Sequence, residues 1–325
     1  MARRRRDHVV RGAVCEDWCV EFGVHLPLMS FHGDPLSAER IGATVEAAVE
    51  YEFAALAAND HFSFQTPWLD GPTALASVIE RSAGLELATT VSLATLRGPV
   101  VIAKQFAAID ILSGGRFTAC LGPGSSECDY ALVGVDFEQR WDRLDEAMVI
   151  TRALLLGEQV RDDLVHYQIP PDTSLEPLPS RRVPLWIGSW GSDAGLRRVA
   201  RLGDGWLASA YNTTPAGFAA AGARLAEMLT TSGRPVRSLP NALATMWTWV
   251  GDKSEAERVL STVLAPLLRR DSKSLQAQVC VGTAEHCAKL LRAYAEAGCH
   301  RVYLWPIGDE PTQLARIAEE VIPLL

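Results

Sequence analysis

Residues 85–121, which read LELATTVSLATLRGPVVIAKQFAAIDILSGGRFTACL, carry the pattern that decides the fold. An apolar run at Leu85–Leu93 precedes a helical pattern at Val100–Leu112, which ends at Gly114-Gly115. A second apolar run follows at Phe117–Leu121. Apolar runs without alternation are typical of parallel strands that are covered on both faces. The stretch therefore predicts a strand, a helix and a second strand parallel to the first.

The same unit recurs along nearly the whole chain. The other apolar runs, which are bounded by Gly, Pro or Asp, are Phe22–Leu26, Phe53–Ala58, Pro184–Gly188, Gly205–Ala210, Leu243–Val250 and Arg301–Pro306. The other helical patterns are Ser37–Tyr51, Phe137–Leu156, Ser192–Leu202, Pro215–Thr231, Ser254–Leu268, Thr283–Ala297 and Pro311–Leu324. Eight strand signals, each followed by a helix, predict an α/β fold of the (β/α)8 TIM-barrel type. The alternative is a doubly wound sheet, which needs a glycine fingerprint after its first strand, and Val24–Pro27 has none.

Two segments have no predicted helix or strand. Glu158–Arg182 is rich in proline and charge, and Arg269–Gln278 is polar. Because long irregular segments of compact domains are usually lids or disordered, we expect both to be insertion loops over the C-terminal mouth of the barrel. Residues 1–19 include the basic cluster Arg3–Arg6, and we expect them to be a partly disordered tail. Residues 20–325 are predicted to form a single domain.

The composition excludes several classes of protein. Apolar residues make up 48% of the 325 residues and charged residues 22%, which is ordinary for a globular protein and unlike a disordered or fibrous one. The net charge of −8 does not indicate a nucleic-acid partner. No window reaches the ~20 apolar residues of a membrane span, and no apolar stretch follows the basic start as in a signal peptide. The seven cysteines show no CxxC spacing. We therefore expect a cytoplasmic protein without a membrane partner.

The carboxyl ends of the predicted strands indicate what the active mouth contains, because barrel enzymes build their sites there. The residues at these ends are His25, Asn59–Phe62, Ser92, Gly122–Ser126, Ser189–Gly191, Ser209, Tyr211, Asn212, Trp247, Trp249 and Trp305. These residues are rich in aromatic rings and hydroxyl groups and poor in acids. They therefore predict a pocket for a large planar ligand and do not predict a metal site. A nucleophilic serine is not predicted either, since no Gly-x-Ser-x-Gly elbow is present.

Gly188–Ser192 leads from a predicted strand into a helix. Small residues at a helix N-terminus bind phosphate through free N–H groups and the helix dipole. A tight strand–helix turn without a ligand explains the same residues, and the same two interpretations apply to Gly122 and Gly124.

Three segments resemble one known family. They are Asn59–Phe62, then Leu96–Lys104 continuing through Leu112–Arg116 to Gly124, and finally Val183–Gly188 followed by Ala200–Trp206. In this order they are similar to the luciferase-like flavin oxidoreductases, which include bacterial luciferase-type monooxygenases and their deazaflavin-dependent relatives. The resemblance extends over roughly residues 20–322 and implies the same barrel as the strand count.

The resemblance implies a reduced flavin or deazaflavin, coenzyme F420 or FMN, bound without a covalent link at the mouth. The residues expected to bind it are His25, Asp60, Thr90, Val91, Ser92, Gly122, Gly124, Ser125, Gly188, Ser189, Trp190, Gly191 and Ser192. Among these, Gly188–Ser192 is expected to hold the cofactor phosphate. For Asp60 a structural salt bridge is the alternative. The family also carries a non-prolyl cis peptide in the third strand, which is expected here near Thr90-Val91.

His61 is the predicted catalytic residue, because an imidazole can exchange a proton with a substrate oxygen while hydride passes at the ring. The alternative role for His61 is to orient the cofactor. Trp68, Trp247 and Trp305 are expected to line the substrate pocket. Arg97 could pair with a cofactor tail or with a carboxylate.

Two features distinguish branches of the family. Asp60-His61-Phe62 resembles the deazaflavin-dependent branch, and Trp68 resembles an aromatic residue of its sugar-phosphate dehydrogenases. Those dehydrogenases carry an acid where this chain has Ser125, which argues against a sugar phosphate.

We therefore expect hydride transfer between coenzyme F420 and a small, fairly apolar substrate. A two-component monooxygenase that uses reduced FMN, oxygen and a separate flavin reductase is the first alternative. A non-catalytic flavin-binding or partner subunit is the second. The resemblance also suggests a homodimer.

Overall fold

The computed structural model describes residues 20–31, 33–170, 172–235 and 239–325, so the predicted tail at residues 1–19 lies outside the described residues. The strands are β1 (Glu21–His25), β2 (Ala55–Ala58), β3 (Glu86–Thr89), β4 (Ser92–Leu93), β5 (Phe117–Gly122), β6 (Leu185–Gly188), β7 (Gly205–Ser209), β8 (Asn241–Val250), β9 (Cys280–Gly282) and β10 (Arg301–Pro306). The α-helices are α1 (Ala38–Glu50), α2 (Gly71–Ser77), α3 (Ala94–Arg97), α4 (Pro99–Leu112), α5 (Glu127–Leu132), α6 (Arg140–Leu156), α7 (Asp193–Leu202), α8 (Pro215–Thr231), α9 (Lys253–Val259), α10 (Ala265–Leu268), α11 (Ser272–Gln276), α12 (Ala284–Glu296) and α13 (Glu310–Arg316).

The strands close into one parallel barrel, as predicted. The order β1-β2-β3-β5-β6-β7-β8 is completed by β10, which pairs with both β8 and β1. The closure confirms the (β/α)8 fold. The strand β9 pairs only with the far end of β8 and stands outside the ring.

Side chains on the two faces of the strands form two separate cores. Strand residues such as Val24, Leu56 and Ile187 pack outward against the helices in the large apolar cluster. The interior holds smaller side chains, including Ala55, Ala57 and Ala88, together with Tyr303. A narrow interior filled by small and aromatic side chains is a packed core rather than a channel, so it leaves no room for a ligand inside the barrel.

Most of the predicted helices form within one or two residues of their expected ends, but α6 starts three residues late, after a 3-10 turn, and α13 ends at Arg316, where a π-helical turn follows. Ser37 accepts a hydrogen bond from the Arg40 N–H and caps α1, and Gly157 ends α6 in the left-handed conformation. The predicted helix at 254–268 is interrupted, because Leu260–Leu264 is a π-helical turn between α9 and α10. Four short helices and β9 were not predicted, since too few residues lie in each to show a period; the helices are α2, α3, α5 and α11.

One of the two loops that were predicted to lie over the mouth lies elsewhere. Glu158–Arg182 lies between the end of α6 and the start of β6, which is the end of the barrel opposite the mouth. It packs along the outer helices: Glu146 of α6 accepts hydrogen bonds from the Val165 and His166 N–H groups, and Lys104 of α4 donates to the Glu176 carbonyl. The prediction of a lid from this segment is wrong, because its length was interpreted without regard to which end of the helix it follows.

The second predicted loop does lie at the mouth. Next to it, the carbonyl of Leu267 accepts a hydrogen bond from Gln65 in the loop after β2. Arg270 donates to the Tyr211 carbonyl and to Asn212 Oδ1, both of which follow β7. Because β2 and β7 lie on opposite sides of the ring, Leu267–Arg270 spans the mouth. The polar segment at 269–278 is ordered by α11, so it is not irregular throughout.

Candidate functional site

His25 and three tryptophans form an aromatic cluster at the carboxyl ends of the strands. The His25 ring is fully buried and stacks on Trp305 with 4.3 Å between ring centroids. Trp305 in turn contacts Trp247 at 4.4 Å and Trp68 at 5.6 Å. The predicted pocket residues are therefore brought together as one wall, to which strands β1, β8 and β10 all contribute.

His61 stands at the edge of this cluster and is held by a carboxylate. Its Nδ1 lies 2.9 Å from Asp129 Oδ2, and the other oxygen of Asp129 accepts hydrogen bonds from the Phe62 and Ser63 N–H groups. A carboxylate only accepts, so Nδ1 of His61 carries the hydrogen and Nε2 is the acceptor of the neutral ring. The side chain of Asp129 is 2% exposed and that of His61 17%. Nε2 of His61 is therefore a proton acceptor at the accessible edge of a pair that is otherwise buried.

Aromatic rings surround His61. Phe64 lies 4.9 Å from it and Trp68 4.8 Å, measured between ring centroids. Trp68 links His61 to the Trp305 side of the cluster. A substrate that reaches His61 must therefore contact apolar surface.

Asp129 was not among the residues predicted from the sequence. It lies in the first turns of α5, where Ser126 caps the helix by accepting the Asp129 N–H. The resemblance directed attention to position 125, where the similar dehydrogenases carry an acid, and not to position 129. The available signal was Ser126 followed by an acid three residues later, a helix-start pattern that directs attention to the cap and not to a distant histidine.

Asp60 is committed to an ion pair. Arg97 Nε and Nη2 donate to its two oxygens, each at 2.6 Å, and the Leu93 N–H donates to Oδ2. Arg97 also pairs with Asp70, the N-cap of α2. Asp60 thus forms the structural salt bridge that was the alternative to cofactor binding. Of the two partners considered for Arg97, a cofactor tail or a carboxylate, the structure shows the carboxylate. A contact of Asp60 with the cofactor remains only a prediction.

The expected cis peptide is present between Thr90 and Val91, where it separates the end of β3 from the start of β4. The side chain of Val91 fills the space beside two glycines, because a Cβ at Gly122 or at Gly188 would come within 2.8 Å of it. The packing of Val91 therefore explains why both positions are glycine, without a ligand. Beyond Val91, the hydroxyl of Ser92 is buried and has no hydrogen-bond partner among the described residues.

The turn at Gly188–Ser192 has the form expected of a phosphate site but is followed directly by an acid, Asp193. Ser192 caps α7 by accepting the Gly195 N–H, and the Ser189 hydroxyl accepts the Gly191 N–H. Gly191 has a φ of +90°, which favours glycine. Asp193 occupies the first turn of α7 and is paired with Arg224 at 3.0 Å. Phosphate binding here remains a prediction, which must accommodate the charge of Asp193.

Burial lowers the pKa of His25 from 6.5 to about 3. The unfolded chain then takes up this proton near pH 6.5 while the folded chain does not. Because the unfolded state binds more protons, stability is full above pH 6.5 and falls as the pH decreases toward 3. We expect the burial of His25 to lower the free energy of unfolding by about 2 kcal/mol when the pH falls from 6.5 to 5. Urea unfolding of the wild type and of His25→Asn at both pH values measures the difference, and an equal loss in the two proteins would contradict the prediction.

The described parts of the chain contain neither a metal-ligand cluster nor a helix that could cross a membrane. No group of three or more His, Cys, Asp or Glu side chains is placed to hold a metal ion within these residues. Among the described helices, none is both long and apolar enough for a membrane span.

Residues 20–301 match the family model for luciferase-like monooxygenases. The chain belongs to this family. The membership confirms the resemblance inferred from the three sequence segments, because the matched range contains all of them.

Relatives of this luciferase-like chain include deazaflavin enzymes. An F420-dependent glucose-6-phosphate dehydrogenase from Beutenbergia cavernae is 30% identical over 82% of this chain and 84% of that protein. An F420-dependent hydroxymycolic acid dehydrogenase from Mycobacterium tuberculosis is 29% identical over 68% of this chain and 61% of that protein. A shorter match, 37% identical over 112 residues, spans only 38% of an uncharacterized protein from the same species.

Solved structures share the fold. An F420-dependent secondary alcohol dehydrogenase in complex with an F420-acetone adduct superposes with a TM-score of 0.79 at 17% identity, covering 94% of this chain and 99% of that one. The monooxygenase RslO1 from Streptomyces bottropensis gives the same TM-score, identity and coverage. At this identity the likeness shows the barrel and nothing about the substrate.

Proposed function

We propose that this luciferase-like protein is a coenzyme F420-dependent oxidoreductase that transfers hydride to or from a small, fairly apolar alcohol or carbonyl compound. The observation that carries the proposal is the His61–Asp129 pair at the edge of an aromatic mouth. The names of the relatives support the cofactor class.

Unpartnered polar atoms at the mouth fit a deazaflavin or flavin ring. Ser92 Oγ and His25 Nδ1 are buried and have no hydrogen-bond partner among the described residues. Both can bond the polar edge of a planar heterocycle, which removes the cost of leaving them unsatisfied. The deazaflavin supplies a carbon that accepts or releases hydride and does not react with oxygen as a flavin does.

The role of His61 is to hold and move the proton. As hydride leaves an alcohol carbon, Nε2 of His61 takes the hydroxyl proton, and the carboxylate of Asp129 stabilises the imidazolium that forms. In the reverse direction the same imidazolium protonates the oxygen of a carbonyl. Asp129 fixes the ring orientation for both directions through Nδ1.

The surroundings of His61 support an apolar substrate. Trp68, Phe64 and Trp305 provide ring surface. Ser125 stands where the similar sugar-phosphate dehydrogenases carry an acid, and Asp129 is engaged behind His61. We therefore propose a substrate other than a sugar phosphate.

The second candidate is a monooxygenase that uses reduced FMN delivered by a separate reductase. The structural neighbour RslO1 is a monooxygenase with the same barrel, which supports this alternative. The third, a non-catalytic flavin-binding subunit, conflicts with the intact His61–Asp129 pair.

Titration of the purified protein with coenzyme F420 and with FMN, each oxidised and reduced, tests these candidates. Tight binding of F420 without binding of FMN supports the proposal, and a screen of alcohols for F420 reduction follows. Preference for reduced FMN contradicts it and selects the monooxygenase. Binding of F420 without turnover of any alcohol or carbonyl compound in the screen would favour the non-catalytic subunit.

We also propose that the protein works in a reducing cytoplasm. The five described cysteines, Cys120, Cys128, Cys280, Cys287 and Cys299, are free, which supports this assignment.

The outer face of α4 supports a homodimer. The exposed residues of this helix include Val101 at 55% exposure and Leu112 at 69%, although Lys104 is also exposed. Exposed apolar side chains that share one face are typical of a surface that a partner covers. We expect Val101→Glu/Leu112→Glu to convert a dimer to a monomer in sedimentation analysis, whereas Val165→Glu, an exposed position outside α4, leaves it a dimer. A monomeric wild type would contradict the proposal.

A further inference from the structure

A second cavity lies at the end of the barrel opposite the mouth. It is an open cavity with a volume of about 630 Å³, lined by the end of α6, the turn that follows it, and the segments that precede β6 and β7. Its lining includes five arginines and two carboxylates. The arginines are Arg152, Arg161, Arg182, Arg201 and Arg234. Asp163 and Asp145 stand beside the cavity and pair with Arg161 and Arg201, so the five arginines face four carboxylates in all.

Two of these arginines are fixed in place by the backbone. Arg234 donates to the carbonyls of Ala200 and Gly203 at the end of α7. Arg152 donates to the Leu202 carbonyl and pairs with Asp204 at 2.8 Å. Guanidinium groups held in this way lose little side-chain entropy when they bind a ligand.

The other three arginines are more exposed, and one of them, Arg161, donates to both oxygens of Asp163. Arg182 and Arg201 keep more unused donors. Arg182 bonds Asp204 through one nitrogen, and Arg201 bonds Asp145 through one nitrogen. A guanidinium has five N–H groups, so each can donate further bonds into the cavity. Asp204 is already shared by two arginines, which leaves Glu158 as the lining carboxylate without an ion pair among the described residues.

We propose that this cavity binds a diphosphate group, either free or carried by a nucleotide. Several guanidinium groups around one space match the many acceptor oxygens of adjacent phosphates, which arginine binds in a bidentate manner. The cavity also has an apolar wall of Val149, Ala153 and Leu202, against which the organic part of a nucleotide can lie. The site is separate from His61 and does not depend on the proposed activity.

Isothermal titration of the cofactor-free protein with pyrophosphate and with ADP tests the proposal, in a phosphate-free buffer of low ionic strength. We expect binding of one equivalent. Arg182→Gln/Arg201→Gln should weaken it at least about tenfold, since each substitution removes hydrogen bonds from a charged donor to the phosphate oxygens. Glu158→Gln should tighten it, because a carboxylate that repels the anion is removed. The relative affinities of pyrophosphate and ADP distinguish a free from a nucleotide-borne group.

The control is Arg197→Gln/Arg258→Gln, which removes two exposed arginines from outside the cavity. This control should leave the affinity unchanged. Because both double variants keep the basic cluster Arg3–Arg6, a difference between them cannot come from that cluster. Binding of neither pyrophosphate nor ADP would overturn the proposal, as would equal losses in the two double variants. Tighter binding of octaglutamate than of either diphosphate would also overturn it and indicate an acidic peptide.

Discussion

His61→Ala is expected to lower kcat by about 10²–10⁴-fold and to leave the affinity for the cofactor nearly unchanged. The reason is that Nε2 of His61 exchanges a proton with the substrate oxygen, while the buried atoms that fit the cofactor ring belong to His25 and Ser92. Steady-state kinetics with the alcohol or carbonyl compound found in the screen, together with a cofactor titration, measure both quantities.

Two variants separate catalysis by His61 from a structural effect. His166→Ala removes a histidine from the segment along α6 and should leave kcat unchanged. Asp129→Asn keeps the size of the side chain but can present an amide N–H to the ring, so we expect kcat to fall toward the ~10⁴-fold loss known for this change beside a catalytic imidazole. If His61→Ala weakens cofactor binding and spares kcat, His61 is a binding residue and the proton-transfer role is wrong.

Arg97→Met is expected to reduce the free energy of unfolding by about 3–5 kcal/mol. The side chain of Asp60 is 1% exposed and that of Arg97 8%, and both oxygens of Asp60 accept from the guanidinium. Removing the arginine leaves a buried carboxylate without its charge partner, and the cost of that isolated charge exceeds what the ion pair itself contributes. Urea unfolding near neutral pH measures the loss.

The matched control is Asp70→Asn, which removes the second, half-exposed partner of Arg97. Asparagine caps a helix as well as aspartate does, so the N-cap of α2 is kept and we expect a loss below about 1 kcal/mol. Arg97→Met/Asp60→Asn should be more stable than Arg97→Met alone, because it no longer buries an unpaired charge. A double variant as unstable as the single one would mean that Arg97 acts through packing instead.

The order of strands and helices could be predicted because each element carries its own local signal. The apolar runs, the helical periods, and the Gly and Pro boundaries depend on neighbouring residues only, and all eight barrel strands formed where they were expected. Short elements such as α5 and α11 were not predicted, since five or six residues show no period. The error over Glu158–Arg182 has a different cause: a long loop does not reveal at which end of a barrel it lies unless the preceding helix is followed to its end.

What the sequence by itself determined was therefore the barrel, the family and the ring of strand ends that includes His25, His61 and Ser92. The tertiary structure alone decided the partners of these residues. His61 meets Asp129 across 68 positions of sequence, and Asp60 meets Arg97 across 37. The glycines at 122 and 188 make room for Val91, although both positions had also been interpreted as ligand contacts. A hydrogen bond or a packing contact needs atoms within about 3–4 Å of each other. Closure of the barrel brings residues that are distant in the sequence to within this range, and their spacing along the chain does not reveal it.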